Sequence, residues 1–149
     1  MSETETVAQT HSYKPRIVAL VCNWCTYTAA DLAGTSRLSY PAEIRMVRLM
    51  CTGMIDQKYI LKAFLDGADR VFIGGCHPGD CHYLDGNLKA ERRIGGTRNL
   101  IEQFGFDPDR LKLQWIGASE GPEFQHHMTE FVERIAAMGP SQVRDRMTM

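Results

Sequence analysis

The chain has 149 residues, with 17 basic and 18 acidic side chains and a formal net charge of −1. This length suits one domain with its own core. The balanced charge gives no basic field for nucleic acid or a membrane surface and indicates a mixed, solvated exterior. No apolar run approaches the roughly 20 residues of a membrane helix, and the N-terminus has no signal-peptide pattern. We therefore expect a cytoplasmic protein.

Strands and helices alternate along the chain. Aliphatic and β-branched runs predict the strands, and apolar positions at helical spacing predict the helices. In chain order we predict a strand over 16–22, a short helix over about 29–33, a strand over 44–50, a helix over about 56–66, a strand over 70–73, a helical stretch over 84–104, a strand over 111–116 and a helix over 124–138. This alternation predicts an α/β fold: a flavodoxin-like, doubly wound, mostly parallel sheet of about four strands with helices on both faces.

Local signals predict where the helices begin and end. Thr26 or Thr28 is expected to cap the first helix, and Asp56 is expected to cap the second. Gly139 is expected to stop the last helix.

The helical stretch over 84–104 contains two consecutive glycines, Gly95 and Gly96. Because glycine weakens a helix, we expect two helical pieces or one kinked helix. Leu100, Ile101 and Phe104 are expected on its buried side.

The polar composition of both ends predicts three regions. Residues 1–14 are expected to form a flexible arm, residues 15–140 a single domain, and residues 141–149 a frayed tail.

Five cysteines lie at or just past predicted strand ends. Cys22, Cys51 and Cys76 end the first three strands, and Cys25 and Cys81 follow closely. The carboxyl ends of parallel strands meet at one edge of a sheet, so a strand order of two, one, three would bring these thiols together. In a reducing compartment such cysteines are more typical of metal ligands or redox thiols than of disulfides. We predict that all five converge.

Two pairs of these cysteines are close in sequence. Cys22 and Cys25 form a C-x-x-C pair, and Cys76 and Cys81 form a C-x4-C pair within VFIGGCHPGDCHY. A 2Fe-2S cluster takes four thiolates, two on each iron. We predict these two pairs as ligands and Cys51 as an alternate ligand or a neighbouring thiol.

Four residues beside the cysteines are candidates for a supporting role. One of His77 and His82 is expected to hydrogen-bond near the cluster, with an exposed loop position as the alternative. Gly75 would let backbone N–H groups approach sulfur. Trp24 would shield the site or contact a partner, with core packing as the alternative.

Three basic residues follow the cysteine loop, which is the segment from Cys76 to Cys81, and they have two interpretations. Lys89, Arg92 and Arg93 could steer an acidic partner, but a solvated helix face is favoured.

The same thiols allow other functions. Four thiols, or thiols with histidines, would form a structural zinc site in an interaction module. A C-x-x-C after a first strand is also typical of thiol–disulfide oxidoreductases, and buried cysteines can be inert core residues. No G-x-G-x-x-G follows the first strand, so dinucleotide binding is unsupported. The sequence offers no nucleophile with its base, and we expect no independent bond chemistry.

Several segments of the chain together resemble one known family. They are VCNWCTYTAADLAGTSR, MCTG, GADRVFIGGCHPGDCHYLDGNLKAERR and WIGASEGPEF. The sequence is similar over about residues 17–139 to the delta subunit of methyl-viologen-reducing hydrogenase, the small iron–sulfur subunit found with heterodisulfide reductase.

The resemblance implies an electron-transfer subunit with one 2Fe-2S cluster, associated with methanogenesis. Such a subunit passes electrons from a hydrogenase, or in some assemblies a formate dehydrogenase, to the flavin subunit of heterodisulfide reductase. The family's cysteine positions match all five cysteines of this chain: Cys22, Cys25, Cys51, Cys76 and Cys81.

Overall fold

A computed structural model describes residues 14–143 of the protein. Its elements are β1 (Ile17–Cys22), α1 (Thr26–Thr35), β2 (Ile44–Leu49), a 3-10 turn (Thr52–Met54), α2 (Gln57–Leu65), β3 (Arg70–Gly75), α3 (Gly86–Gln103), a second 3-10 turn (Pro108–Arg110), β4 (Leu111–Trp115) and α4 (Gly121–Met138). The predicted alternation of strands and helices is confirmed. Almost all of the expected arm, and most of the expected tail, lie outside the described residues.

The four strands form one parallel sheet in the order β2-β1-β3-β4. The predicted doubly wound α/β fold is therefore confirmed. In the register of the sheet, Cys22 lies opposite Leu49 and Gly75 lies opposite Trp115. Because all the strands run the same way, their carboxyl ends and the loops that follow meet at one edge.

Helices cover the sheet on both faces, and each face has its own core. On one face Phe72 of β3 packs with Phe124 and Phe131 of α4 in a cluster that also includes α1. On the other face Ile73 packs in a cluster with Phe64 of α2 and residues of α3. Neighbouring strand residues point to opposite faces, so the continuous apolar runs of β1 and β3 supply both cores.

Helix α3 is one continuous helix over Gly86–Gln103, so the alternative of two helical pieces meeting at Gly95 and Gly96 was wrong. Both glycines are exposed, and an added Cβ at Gly95 would have no neighbour within 4 Å. Each glycine costs the helix about 1 kcal/mol. The packing of the helix on the sheet outweighs this cost.

Phe104 is exposed, contrary to its predicted place on the buried side of α3. It is 61% exposed, whereas Ile101 is fully buried and Leu100 is half-buried. Phe104 lies just past the end of the helix, where the chain turns at Gly105. Phe106 fills the core instead, since its ring lies 5.0 Å from that of Phe64.

The predictions of helix ends had mixed outcomes. Asp56 caps α2 as predicted, because its carboxylate accepts a hydrogen bond from the N–H of Lys58 at 3.0 Å. The predicted cap of α1 was wrong, because Cys25 occupies that position and both Thr26 and Thr28 lie inside the helix. Gly139 ends α4 with a φ of 77°.

The described helices also bear on membrane insertion. None of the helices between residues 14 and 143 has the length and apolar character needed to cross a membrane.

Candidate metal centre

All five cysteines lie in one cluster at the carboxyl edge of the sheet. Each comes from the end of a strand or from the loop after it, and none is in a disulfide. Cys22 ends β1, Cys25 begins α1, Cys51 follows β2, Cys76 follows β3, and Cys81 lies in the loop before α3. The predicted convergence of the thiols is therefore confirmed, and the strand order that it required is the one observed.

Three of the thiols form a tight, buried group. The Sγ atoms of Cys25 and Cys76 are 2.9 Å apart, and those of Cys22 and Cys76 are 3.8 Å apart. All three sulfur atoms lie within 4.8 Å of one another. Thiolates that bind one metal at about 2.3 Å lie about 3.8 Å apart in a tetrahedral site. The pair of Cys22 and Cys76 has this spacing, whereas Cys25 and Cys76 lie closer together than two thiolates on one metal.

The other two thiols form a second group. The Sγ atoms of Cys51 and Cys81 are 4.0 Å apart. The backbone N–H of Gly53 donates a hydrogen bond of 3.3 Å to the sulfur of Cys51. An added Cβ at Gly86 would lie 2.3 Å from the sulfur of Cys51 and 3.4 Å from that of Cys81. Only glycine at this position leaves both sulfurs their space.

The cysteine loop divides its two thiols between the groups. Cys76 lies against Cys22 and Cys25, whereas Cys81 lies against Cys51. Between them the chain turns, with the N–H of Asp80 bonded to the carbonyl of His77 at 2.9 Å. The two cysteines that are close in sequence therefore serve different parts of the cluster.

Hydrogen bonding distributes charge unequally among the buried thiols. Bonds from Cys25 and then Cys76 lower the pKa of Cys22 to about 3. The bond to Cys22 raises the pKa of Cys25 to about 11 and raises that of Cys76 as well. Burial raises the pKa of Cys51. Hydrogen bonding in the buried group of three thus favours the thiolate form of Cys22 over those of Cys25 and Cys76, and a bound cation would stabilise further thiolates there.

Two side chains of α3 hold the loops that carry the cysteines. Asn87 is buried, and its amide donates to the carbonyl of Cys76 at 2.8 Å and to that of His77 at 2.9 Å. Sequence reasoning missed this residue. The sequence pattern that could have indicated a buried Asn87 is its helical spacing from Ala90 and Ile94, which are also buried.

Arg93 is the second of these side chains. The prediction that it lies on a solvated helix face was wrong. Its guanidinium donates to the carbonyl of Gly53 at 2.8 Å and to that of Ile55 at 2.6 Å. These bonds fix the 3-10 turn next to Cys51. Lys89 and Arg92 are exposed.

The two loop histidines have different partners. Nε2 of His77 pairs with the carboxylate of Glu120, which also accepts the N–H of Gly117 at 2.6 Å. Gly117 and then His77 lower the pKa of Glu120. Sequence reasoning missed this carboxylate, which stands at the start of α4. His77 therefore anchors the loop to α4 through a carboxylate rather than through sulfur.

His82 belongs to an aromatic layer beside the thiols. Its ring stacks on Trp24 with centroids 3.9 Å apart and planes 10° apart. The indole N–H of Trp24 donates to the hydroxyl of Tyr83 at 3.3 Å. Trp24 is 42% exposed although it adjoins the buried Cys25. The layer is partly open to solvent, and its residues directly precede Cys25 or follow Cys81 in the chain.

Two glycines of β3 allow close packing under the cluster. An added Cβ at Gly74 would lie 2.4 Å from the methyl group of Thr26, and one at Gly75 would lie 3.1 Å from the ring of Trp115. The structure therefore gives Gly75 a packing role.

Comparison with known proteins identifies the family of the chain. Residues 17–139 match the family described as methyl-viologen-reducing hydrogenase, delta subunit. The chain belongs to this family.

Similar proteins include two short iron–sulfur subunits and one much longer chain. The iron–sulfur subunit of the vhc F420-non-reducing hydrogenase of Methanococcus voltae is 48% identical over 134 residues, which cover 90% of this chain and 93% of that protein. The iron–sulfur subunit of the F420-non-reducing hydrogenase of Archaeoglobus profundus is 48% identical over 128 residues, with 86% and 93% covered.

The longer relative is a subunit of the ferredoxin:CoB-CoM heterodisulfide reductase of Methanosarcina mazei. It is 44% identical over 126 residues, which are 85% of this chain but 16% of that protein. A segment similar to this domain is thus part of a larger polypeptide in that organism.

Proposed function

We propose that this protein is an electron-transfer subunit that holds a 2Fe-2S cluster on four of its five cysteines. The observation that carries the proposal is the meeting of five thiols, from separate strands and loops, in one cluster at the carboxyl edge of the sheet. Thiolate is the ligand that iron–sulfur clusters take. The relatives named as iron–sulfur subunits support iron as the metal.

The division of the thiols favours a cofactor with two metal ions. One group offers three sulfurs and the other offers two. Each iron of a 2Fe-2S cluster takes two thiolates, whereas a structural zinc ion takes all four ligands at one centre. Zinc held in an interaction module is the second candidate, supported by the three sulfurs within 4.8 Å of one another.

Five thiols leave one spare if four are ligands. Sequence reasoning gave Cys51 the least certain role, but its pairing with Cys81 at 4.0 Å favours both as ligands. We therefore place the spare thiol in the group formed by Cys22, Cys25 and Cys76.

A bound 2Fe-2S cluster would accept and release one electron at a time. The chain's own residues would tune and protect it. The N–H of Gly53 bonds to the sulfur of Cys51, and such bonds raise the reduction potential of a cluster. Asn87 and Arg93 hold the loops in place, and the stack of Trp24 and His82 limits access of water.

The proposed partners are a donor and a flavin-containing acceptor. We propose that electrons come from a hydrogenase or a formate dehydrogenase and pass to the flavin subunit of heterodisulfide reductase. The relatives named as hydrogenase subunits support the first part. The similar segment within the long heterodisulfide reductase chain supports the second, because a domain covalently attached in one organism is well suited to docking in another.

Metal analysis of protein purified without oxygen tests the cofactor. We expect about two iron and two acid-labile sulfide per chain, with a paramagnetic signal on reduction. Colourless protein with one tightly bound zinc would support the interaction module instead. Metal-free protein with a reversible disulfide would support a thiol–disulfide oxidoreductase.

Single cysteine-to-serine variants test the ligand set. We expect Cys51→Ser and Cys81→Ser each to lose most of the iron, because their group has no third thiol. One variant among Cys22→Ser, Cys25→Ser and Cys76→Ser should keep its iron and its visible spectrum. Equal iron loss in all five variants, with circular dichroism showing folded protein, would contradict the spare thiol.

A further inference from the structure

Strand β4 lies at one side of the sheet and pairs only with β3 within residues 14–143. The N–H of Ile116 donates to the carbonyl of Gly75 at 2.9 Å, toward β3. Backbone groups alternate in direction along a strand, so those of Leu113 and Trp115 point away from β3. The carbonyl of Trp115 accepts a hydrogen bond of 3.5 Å from the side chain of Gln114, which a partner strand would have to replace. An edge of this kind is a template for pairing with another strand.

A groove follows this edge between α3 and α4. Its volume is about 490 Å³, and β4 forms its floor together with Ile94, Gly95 and Arg98 of α3 and Arg134 of α4. An added Cβ at Gly95 would meet open space. Gly95 therefore adds no side chain to the lining of the groove.

The lining of the groove has more positive than negative side chains. The basic residues are Arg70, Arg98, Lys112 and Arg134, and the acidic ones are Glu91 and Asp109. Arg98 pairs with Asp109 at 3.3 Å, and Arg134 pairs with Glu130 of α4 at 3.1 Å. No ion pair involves Lys112 within the described part of the chain, and burial lowers its pKa. Arg70 is buried and donates to the carbonyls of Asp109 and Phe131, so among these basic residues Lys112 is the one left to complement an acidic ligand.

The two sides of the edge differ in polarity. Leu111 and Leu113 belong to the apolar cluster that α3 covers. Lys112 lies on the opposite side, within the electrostatic reach of Glu130 and Arg134. An added strand would also alternate its side chains between these two sides. The groove therefore fits an extended segment in which apolar and acidic residues alternate.

The fold and the charge argue against occupation by the C-terminal residues of this chain, whereas residues 1–13, with Glu3 and Glu5 and no lysine or arginine, are tested by truncation below. Flavodoxin-like sheets have a fifth strand beside the fourth, but residues 14–143 supply four strands. After α4 the chain returns to the end of the sheet where the strands begin, and there the N–H of Ser141 donates to the carboxylate of Asp69 at 2.9 Å. Residues 144–149 carry two arginines and one aspartate, so their charge does not complement the groove. Two copies of the chain would bring like charges together.

We propose that the free edge of β4 binds an extended segment of a partner protein, with alternating acidic and apolar side chains, as a fifth strand. Backbone hydrogen bonds to Leu113 and Trp115 would supply affinity, and Lys112 would select acidic residues. This surface lies along the side of the sheet and does not depend on which metal the thiols bind.

A labelled peptide tests the proposal on the full chain purified without oxygen. The probe is a fluorescein-labelled peptide of about eight residues that alternates glutamate and valine. We expect saturable binding by anisotropy, with slower hydrogen exchange at the amides of Leu113 and Trp115. The same peptide with an N-methyl group on every residue should bind at least about tenfold more weakly, because neither of its edges can donate backbone hydrogen bonds to β4.

Charge reversal tests the selection of acidic residues. We expect Lys112→Glu to weaken binding at least about tenfold, and Lys112→Gln to have a smaller effect. The matched control is Arg92→Glu, an exposed cation of α3 outside the groove lining, which should bind like the unaltered protein. The N-methyl comparison needs no altered protein and decides the question if Lys112→Glu does not fold.

Several results would overturn the proposal. These are no binding of the alternating peptide, equal binding of its N-methyl form, or equal effects of Lys112→Glu and Arg92→Glu. Protection of the Leu113 amide that disappears when residues 1–13 are removed would assign the edge to the chain's own N-terminus. A concentration-dependent dimer that Lys112→Glu abolishes would assign it to a second copy.

Discussion

Buried polar groups have different partners at the two ends of the sheet, the amino edge where the strands begin and the carboxyl edge where they finish. At the amino edge, Asp69 is fully buried, and its carboxylate accepts the N–H of Arg16 at 2.8 Å and that of Ser141 at 2.9 Å. Arg110 is also buried and donates to the carbonyls of Asp69 and Gly139 at 2.9 and 3.2 Å. At this edge the chain supplies the partners for its own charges.

At the carboxyl edge, buried thiols face one another instead. Cys25 and Cys76 are 2.9 Å apart, and Cys51 and Cys81 are 4.0 Å apart. The side chain of Asn87 holds a loop by donating to the backbone carbonyl of Cys76, and it makes this bond without using the sulfur atom. The amino edge therefore stabilises the fold through hydrogen bonds within the chain. The carboxyl edge instead holds sulfur atoms that can bind a metal.

The largest effect on folding is expected at the amino edge. Asp69→Ala removes the acceptor of two buried N–H groups, so we expect the free energy of unfolding in urea to fall by about 3 kcal/mol. Iron per folded chain should stay the same. Asp69→Asn keeps a carbonyl acceptor and should cost less. Iron loss without a loss of stability would contradict the proposal that the amino edge stabilises the fold while the carboxyl edge binds the metal.

An intermediate effect is expected where α3 meets the thiols. Gly86→Ala would place a Cβ 2.3 Å from the sulfur of Cys51, so one of them must move. We expect a loss of stability of about 2 kcal/mol and a fall in bound iron.

Gly95→Ala is the matched control in the same helix. Its added Cβ has no neighbour within 4 Å, so we expect full iron content and a gain of up to about 1 kcal/mol in the free energy of unfolding. Equal iron content in Gly86→Ala and Gly95→Ala would show that the space beside Cys51 is not required.

The smallest effect is expected in the aromatic layer. Trp24→Ala removes the stack on His82 and should lower the free energy of unfolding by about 1 kcal/mol. We proposed that the stack limits access of water to the centre, so bleaching of the visible absorbance in air should become faster. A variant with unchanged bleaching would show that Trp24 does not shield the centre.

Sequence patterns predicted the elements well because the signals are local. Aliphatic runs predicted the four strands, and apolar positions at helical spacing predicted α4, whose buried residues include Phe124, Met128, Phe131 and Ile135. Prediction was wrong where packing outweighs local preference. Gly95 and Gly96 do not divide α3 into two helices, because the helix packs on the sheet.

Supporting residues were harder to predict because their roles depend on contacts between distant segments. Glu120 reaches His77 across 43 positions of sequence, and Arg93 reaches Gly53 across 40. Nothing in the sequence near Glu120 or Arg93 indicates these partners. The role of Gly86 likewise depends on a sulfur atom from the loop after β2.

The sequence by itself determined a parallel α/β sheet, five thiols near its carboxyl edge and the family of the chain. These follow from local hydrophobic patterns and from a specific motif. Only the tertiary structure decided which thiols meet, placing Cys76 with Cys25 and Cys81 with Cys51. Spacing along the chain could not decide this, because sulfur positions depend on how loops from different strands pack against α3.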